Sequence, residues 1–177
     1  MDWKDSTIRK WLNDDFYNSA FSEKEKENIV ESKSEGFEEY NTSMNLTGGG
    51  KPYAYLERET EDKVFLLSNT ELCAYFSEDP YPGCYSDPYA HKELLCYPTA
   101  YAKQQLETRY QTETCGWWLC NHVYEDDSVE LVSAYGQGSG TSRENIKANT
   151  KSIAVRPAMW VTWQSDMEMV EANQQVE

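Results

Sequence analysis

Two adjacent tryptophans, Trp117 and Trp118, stand between Cys115 and Cys120, and the chain later closes on Ile153–Thr162 (IAVRPAMWVT). Neighbouring residues of a strand point to opposite faces, so the two indoles cannot both face the same side. On this reading one tryptophan is buried and the other is shared with a neighbouring layer. The stretch between these flanks, Cys120 to Asn149, is polar, glycine-bearing and almost without periodicity, so it offers little to a core.

The rest of the chain can supply such a core. Its 177 residues suffice for one domain. Apolar residues make up only 39%, but 13 Tyr and 6 Trp bring large buriable faces with polar edges. A formal charge of −15 opposes contact with nucleic acid or with an anionic membrane, because either needs a Lys/Arg patch. No run approaches the length of a membrane-spanning helix, and MDWKDSTIRK lacks the apolar region of a signal peptide. Neither nucleic-acid binding nor membrane insertion is expected, and the compartment stays open. The five cysteines are an odd number, which fits thiols better than a closed disulfide framework.

Local signals place the elements. Ser6 caps a helix bearing Ile8, Trp11, Leu12 and Phe16 on one face. Ser22 and Glu25 form a capping box for a second, charged helix anchored by Ile29. Asp62–Leu67 (DKVFLL) reads as a compact buried strand running into a further capping box, Ser68 with Glu71, ahead of Leu72, Tyr75 and Phe76. Thr99 caps a brief helix from Ala100. Ser128–Ala134 alternates as a half-exposed strand, and Gly136–Gly140 reads as a turn. Pro157 makes the closing strand an edge or a bulged strand. Helices first and strands later give an α+β class, as a single domain over 1–164 with an acidic tail over 165–177.

Chemistry-bearing motifs are sparse. There is no P-loop, G-x-G-x-x-G, G-x-S-x-G or H-E-x-x-H. His122 lies near Cys115 and Cys120, yet no third group orients a Cys–His pair, so a surface histidine is the plainer reading. Glu125–Ser128 and Glu78–Asp79 could offer oxygens to Ca²⁺, but the D-x-D-x-D-G spacing is missing and a solvated acidic loop is the default. No other cofactor is expected. Arg156, inside the closing strand, is expected to stack or pair beneath a loop and hold it.

The segments STIRKWLNDDFYNSAFSEKEKENI, DKVFLLSNTEL, CYPTAYA, WWLC and VRPAMWV, in this order, resemble an uncharacterised bacterial and phage domain family. The resemblance runs from about Asp5 to Val161; Cys120-Asn121 stands where the family usually has Arg-Ser. Strands that family members carry ahead of the first motif are not found here, which implies an edge beside Ile153–Thr162 that is unpaired unless another chain or segment covers it, and points to a homo-oligomer or a truncated domain. The closing pattern is also similar to C-type-lectin-like domains, including the formylglycine-generating-enzyme type and the variable proteins of diversity-generating retroelements. That similarity implies short helices packed on a small antiparallel sheet with long loops that form a ligand surface.

The expected surface consists of Asn121, His122, Tyr124, Asp126, Ser128, Tyr135, Gln137, Ser139, Arg143 and Asn145. Tyr and Ser among them are what recognition surfaces favour, since Tyr gives large contact area at small entropy cost. The expected function is non-enzymatic recognition of a protein ligand or host-surface receptor. Two readings from other classes remain: a formylglycine-generating-type enzyme using thiols such as Cys115 and Cys120, and a structural module of a phage particle or cell envelope.

Overall fold

Ser6 accepts a hydrogen bond from the Arg9 amide at 3.2 Å and opens the helix Thr7–Trp11, because a short side-chain acceptor satisfies an otherwise unpaired first-turn N–H. The structure, a computed structural model, describes residues 3–33, 60–76, 92–106, 113–122, 129–137, 147 and 149–162. The first helix widens into a π-helical turn, Leu12–Phe16, and returns to α-helix over Tyr17–Ala20. Widening the turn shifts the phase of the apolar stripe. Leu12 is fully buried and Ile8 and Phe16 pack on the core, whereas Trp11 is 41% exposed and rests against Phe16. The capping box of Ser22 and Glu25 opens Glu23–Lys26. Hydrogen bonds from the Ser22 hydroxyl and then its N–H hold the exposed Glu25 carboxyl below its ordinary range. Ile29 is buried, but on a strand rather than on that helix: β1 is Ile29–Val30.

The expected strand over Asp62–Leu67 is instead a buried extended segment without a continuous ladder. Its backbone changes partner along its length. Asp62 exchanges two hydrogen bonds with Ser32, Phe65 exchanges two with Ala158, and the Leu67 carbonyl accepts from Cys120 N–H at 3.0 Å. Between these, the side chain of Asn13 takes the place of a strand neighbour. Its Oδ1 accepts from Lys63 N–H (2.8 Å) and Val64 N–H (3.2 Å), and its Nδ2 donates to the Val64 carbonyl (2.8 Å). A primary amide has the one acceptor and two donors that this requires. Ser68 and Glu71 then form the expected capping box, both buried, at the start of the helix Asn69–Phe76. Thr99 caps the helix Ala100–Gln105, also as expected.

β2 (Trp117–His122) pairs antiparallel with β3 (Val129–Val132), with Trp117 opposite Val132 and Trp118 opposite Leu131. This hairpin is the partition between two cores. Trp118 and Leu131 face one cluster, with Leu12, Ile29, Val64, Phe65 and Leu66. Trp117 and Val132 face the other, with Leu72, Leu94 and Leu119. The two indoles therefore face opposite ways as expected, but both are buried, each in its own cluster. For the same reason the half-exposed strand expected over Ser128–Ala134 is corrected: Glu130, Leu131 and Val132 are all buried.

The closing segment pairs with three neighbours in succession. Ala154 bridges Trp117 in parallel, Ala158 bridges Phe65, and β4 (Trp160–Val161) pairs antiparallel with β1. Only Trp160–Val161 is a strand there, because Pro157 lacks an N–H and falls between two of these contacts. The unpaired edge expected beside the closing strand is filled at Trp160–Val161 by Ile29–Val30 of the same chain. Short helices with two-stranded antiparallel sheets place the described residues in the α+β class.

Candidate functional site

The root of β2 is built for close approach. A Cβ at Gly116 would meet the Val132 carbonyl oxygen at 3.0 Å and Ile153 Cδ1 at 3.3 Å, so only glycine fits without displacement there. Ala154 N–H donates to the Gly116 carbonyl at 2.8 Å and Trp118 N–H to the Ala154 carbonyl at 3.0 Å, fixing the closing segment to the strand. The Trp117 indole is fully buried and its Nε1 donates to the Leu94 carbonyl at 2.9 Å. Arg156 lies over that ring, 4.9 Å from its centroid, and makes two long contacts of 3.4 Å to the Glu93 carbonyl. The stacking expected of Arg156 is therefore present, and what it covers is Trp117.

From this anchor β2 continues to His122, and the first residue of the expected surface is not exposed. Cys120 is buried and Asn121 is only 2% exposed. Both lie inside the stretch of β2 whose ladder extends to the pair His122–Val129, and this part of the strand is covered by packing. Asn121 thus belongs to the scaffold and is not a displayed contact. The backbone of His122 is in β2; its side chain is outside the described residues, as are Tyr124, Asp126, Ser128, Ser139, Arg143 and Asn145. The acidic clusters weighed for Ca²⁺ also fall there, and the described residues contain no group of three or more metal-ligating side chains.

Tyr135 and Gln137 are described, on the turn that leaves β3. Ser133 N–H donates to the Gln137 carbonyl at 2.8 Å, and Gly136 N–H to the Ser133 carbonyl at 3.0 Å. The Ser133 hydroxyl accepts from the N–H groups of both Tyr135 and Gln137, each at 3.2 Å. Gly136 has φ 76°, a left-handed conformation that glycine adopts without strain. The result is a fastened turn on which Tyr135 is 54% exposed while Gly136 beside it is buried.

The densest polar constellation among the described residues lies elsewhere, and sequence reasoning missed it. Asp62, almost wholly buried, accepts from Trp3 Nε1 (2.9 Å), Arg9 Nε (2.7 Å) and the Thr60 hydroxyl (2.6 Å). Asn13 Nδ2 adds a longer contact of 3.4 Å. A carboxylate has acceptor capacity for all of these, and Arg9 supplies the compensating charge. The available signal was the four-residue spacing of Arg9 and Asn13, which puts both on one helix face, together with an acid opening an otherwise apolar run. This constellation ties the first helix to the central segment and offers no open position for a ligand.

No helix among the described residues is long and apolar enough to cross a membrane. No curated protein and no solved structure matches this chain. The profile of one family, described as Domain of unknown function (DUF6273), matches residues 1–163. The first helix, the central segment and the two-sided tryptophan strand therefore all lie within the match, and the chain belongs to the DUF6273 family.

Proposed function

We propose that this chain is a non-enzymatic protein-recognition domain in which a two-core scaffold carries a polar contact surface. The observation behind this is Tyr135. A large aromatic side chain stands exposed on a turn fastened by Ser133, immediately beyond the fully buried Val132. A tyrosine held this way offers contact area with little ordering left to do, which lowers the cost of association. Its neighbours in the chain are the polar stretches that carry Tyr124, Asp126, Ser128, Ser139, Arg143 and Asn145, with His122 and Gln137 at their margins.

On this reading the arrangement is C-type-lectin-like, and the polar stretches have the residue types found in variable proteins of diversity-generating retroelements. The ligand is then another protein, such as a host-surface receptor. The thiol-enzyme alternative finds little support in Cys115, which is buried and whose thiol is pushed up to about 12, first by desolvation and then by Cys96. The thiol that opens a catalytic cycle on substrate needs the opposite environment, one that holds it as thiolate near neutral pH.

The test combines Tyr124→Ala, Tyr135→Ala and Arg143→Ala in one chain. Affinity enrichment with the immobilised parent identifies a partner, whose binding is then titrated against parent and triple variant. Binding should be lost while the melting temperature stays where it was. Retained binding, or loss of binding together with loss of the fold, would overturn the proposal.

A further inference from the structure

Cys96 and Cys115 face each other as an isolated antiparallel bridge, with Cys115 N–H donating to the Cys96 carbonyl at 2.8 Å. In a hydrogen-bonded antiparallel pair the Cα atoms lie about 5.5 Å apart. That falls inside the span of roughly 4.4–6.8 Å between the Cα atoms of disulfide-bonded cysteines, so a small local adjustment brings the two sulfurs together. Partners in such a pair also project to the same face. Cys115 Sγ lies 3.5 Å from the Cys96 carbonyl oxygen, and the neighbouring Cys96 thiol adds to the desolvation that pushes the Cys115 thiol up. Their environments differ: Cys115 is buried, whereas Cys96 is partly exposed and can meet a reagent from solvent. Both are thiols in this structure.

We propose that Cys96 and Cys115 are a redox-active dithiol that closes into an intrachain disulfide by exchange with a low-molecular-weight disulfide. The Cys96 thiolate attacks the small disulfide; a bond forms between Cys96 Sγ and one of its sulfurs, and the other leaves as a thiolate that takes up a proton. Cys115 then gives up its proton and attacks Cys96 Sγ, forming the intrachain bond and expelling the second small thiol. The protein loses two protons and two electrons, and the small disulfide takes up both to become two thiols. Burial of Cys115 opposes its ionisation, so this second step accelerates with pH because the thiolate is the attacking species.

Closure would clasp the Lys92–Leu94 turn, whose Leu94 carbonyl holds the Trp117 indole, to the root of β2. The clasp therefore acts on the scaffold and stands whether or not the protein-recognition reading does.

The experiment equilibrates the folded full-length chain with a series of oxidised-to-reduced glutathione ratios. Remaining thiols are alkylated in acid-quenched, denatured samples, and peptides are mapped by mass spectrometry. At the oxidising end a Cys96–Cys115 linked peptide should appear with the other three cysteines alkylated, and it should be absent when urea unfolds the chain first. Cys115→Ser should stop at a glutathione adduct on Cys96. In the parent, decay of that adduct should speed up roughly tenfold per pH unit near neutrality. Alkylation of all five cysteines at every ratio, or linkage through other cysteines, would overturn the proposal. The parent map decides the matter even if the serine variant does not fold.

Discussion

Arg156 and Trp117 form a stacked pair in which each partner is also tied to the same short turn. The guanidinium lies 4.9 Å from the ring centroid and reaches the Glu93 carbonyl, while the indole N–H is held by the Leu94 carbonyl. The pair joins the closing segment, the turn Lys92–Leu94 and β2 at one point, which explains why an arginine stands in an otherwise apolar run.

Removing the stack has a defined cost. Arg156→Ala should destabilise the fold by about 1–2 kcal/mol, since a partly desolvated cation–π contact and the packing of the side-chain stem both go. Arg156→Lys should recover only part of this, because an ammonium keeps the charge but lacks the planar face. Urea unfolding of the three proteins measures the difference. Equal stability of parent and alanine variant would show that the stack is ornamental.

The buried carboxylate of Asp62 is the second lever. Asp62→Ala leaves the Trp3 indole N–H and the Arg9 guanidinium without their acceptor, and should cost about 3–5 kcal/mol. Arg9→Ala strips the same carboxylate of its charge partner, so the two substitutions should be strongly non-additive in a double-mutant cycle. Additive losses would mean that the two residues act independently.

Alkaline pH should weaken the fold through Cys115. Its thiol is ordinarily lost near pH 9 but is pushed up to about 12 in the folded chain, so above pH 9 the unfolded chain releases the proton first. The folded state then binds more protons than the unfolded one, and stability falls as pH rises between about 9 and 12. The contribution is fully present below pH 9. Chemical unfolding of parent and Cys115→Ala across this range should show a steeper alkaline decline in the parent; parallel curves would place the effect elsewhere.

Much of the scaffold could be read from residue order, and the reasons differ by element. Capping boxes at Ser22 and Ser68 and the caps at Ser6 and Thr99 are local chemistry within four residues, so they appear as written. The opposite facing of Trp117 and Trp118 follows from strand alternation alone, whereas the burial of both depends on a second cluster built from Leu72, Leu94 and Leu119. Asp62–Leu67 was legible as buried and extended but not as to its partners. These come from residues 13, 32, 120 and 158, and one of them is a side-chain amide that no strand pattern announces. The burial of Asn121 was hidden for a related reason: a polar residue in a polar run looks displayed until the strand is seen to continue past it. The Asp62 constellation was obscured because its donors are spread from Trp3 to Thr60.

On the proposed reading the scaffold stands without residues 123–128 and 138–146. The decisive measurement replaces these segments by glycine–serine sequences of equal length and follows native-state amide exchange. The amides of Trp118, Cys120 and Ala154, bonded to Ala154, Leu67 and Gly116, are the reporters. Their protection should stay within about threefold of the parent's, as expected when the replaced segments lie outside the cooperative core. A fall of more than about a hundredfold in all three would mean that those segments help hold the core together, which is incompatible with a contact surface that the scaffold merely carries.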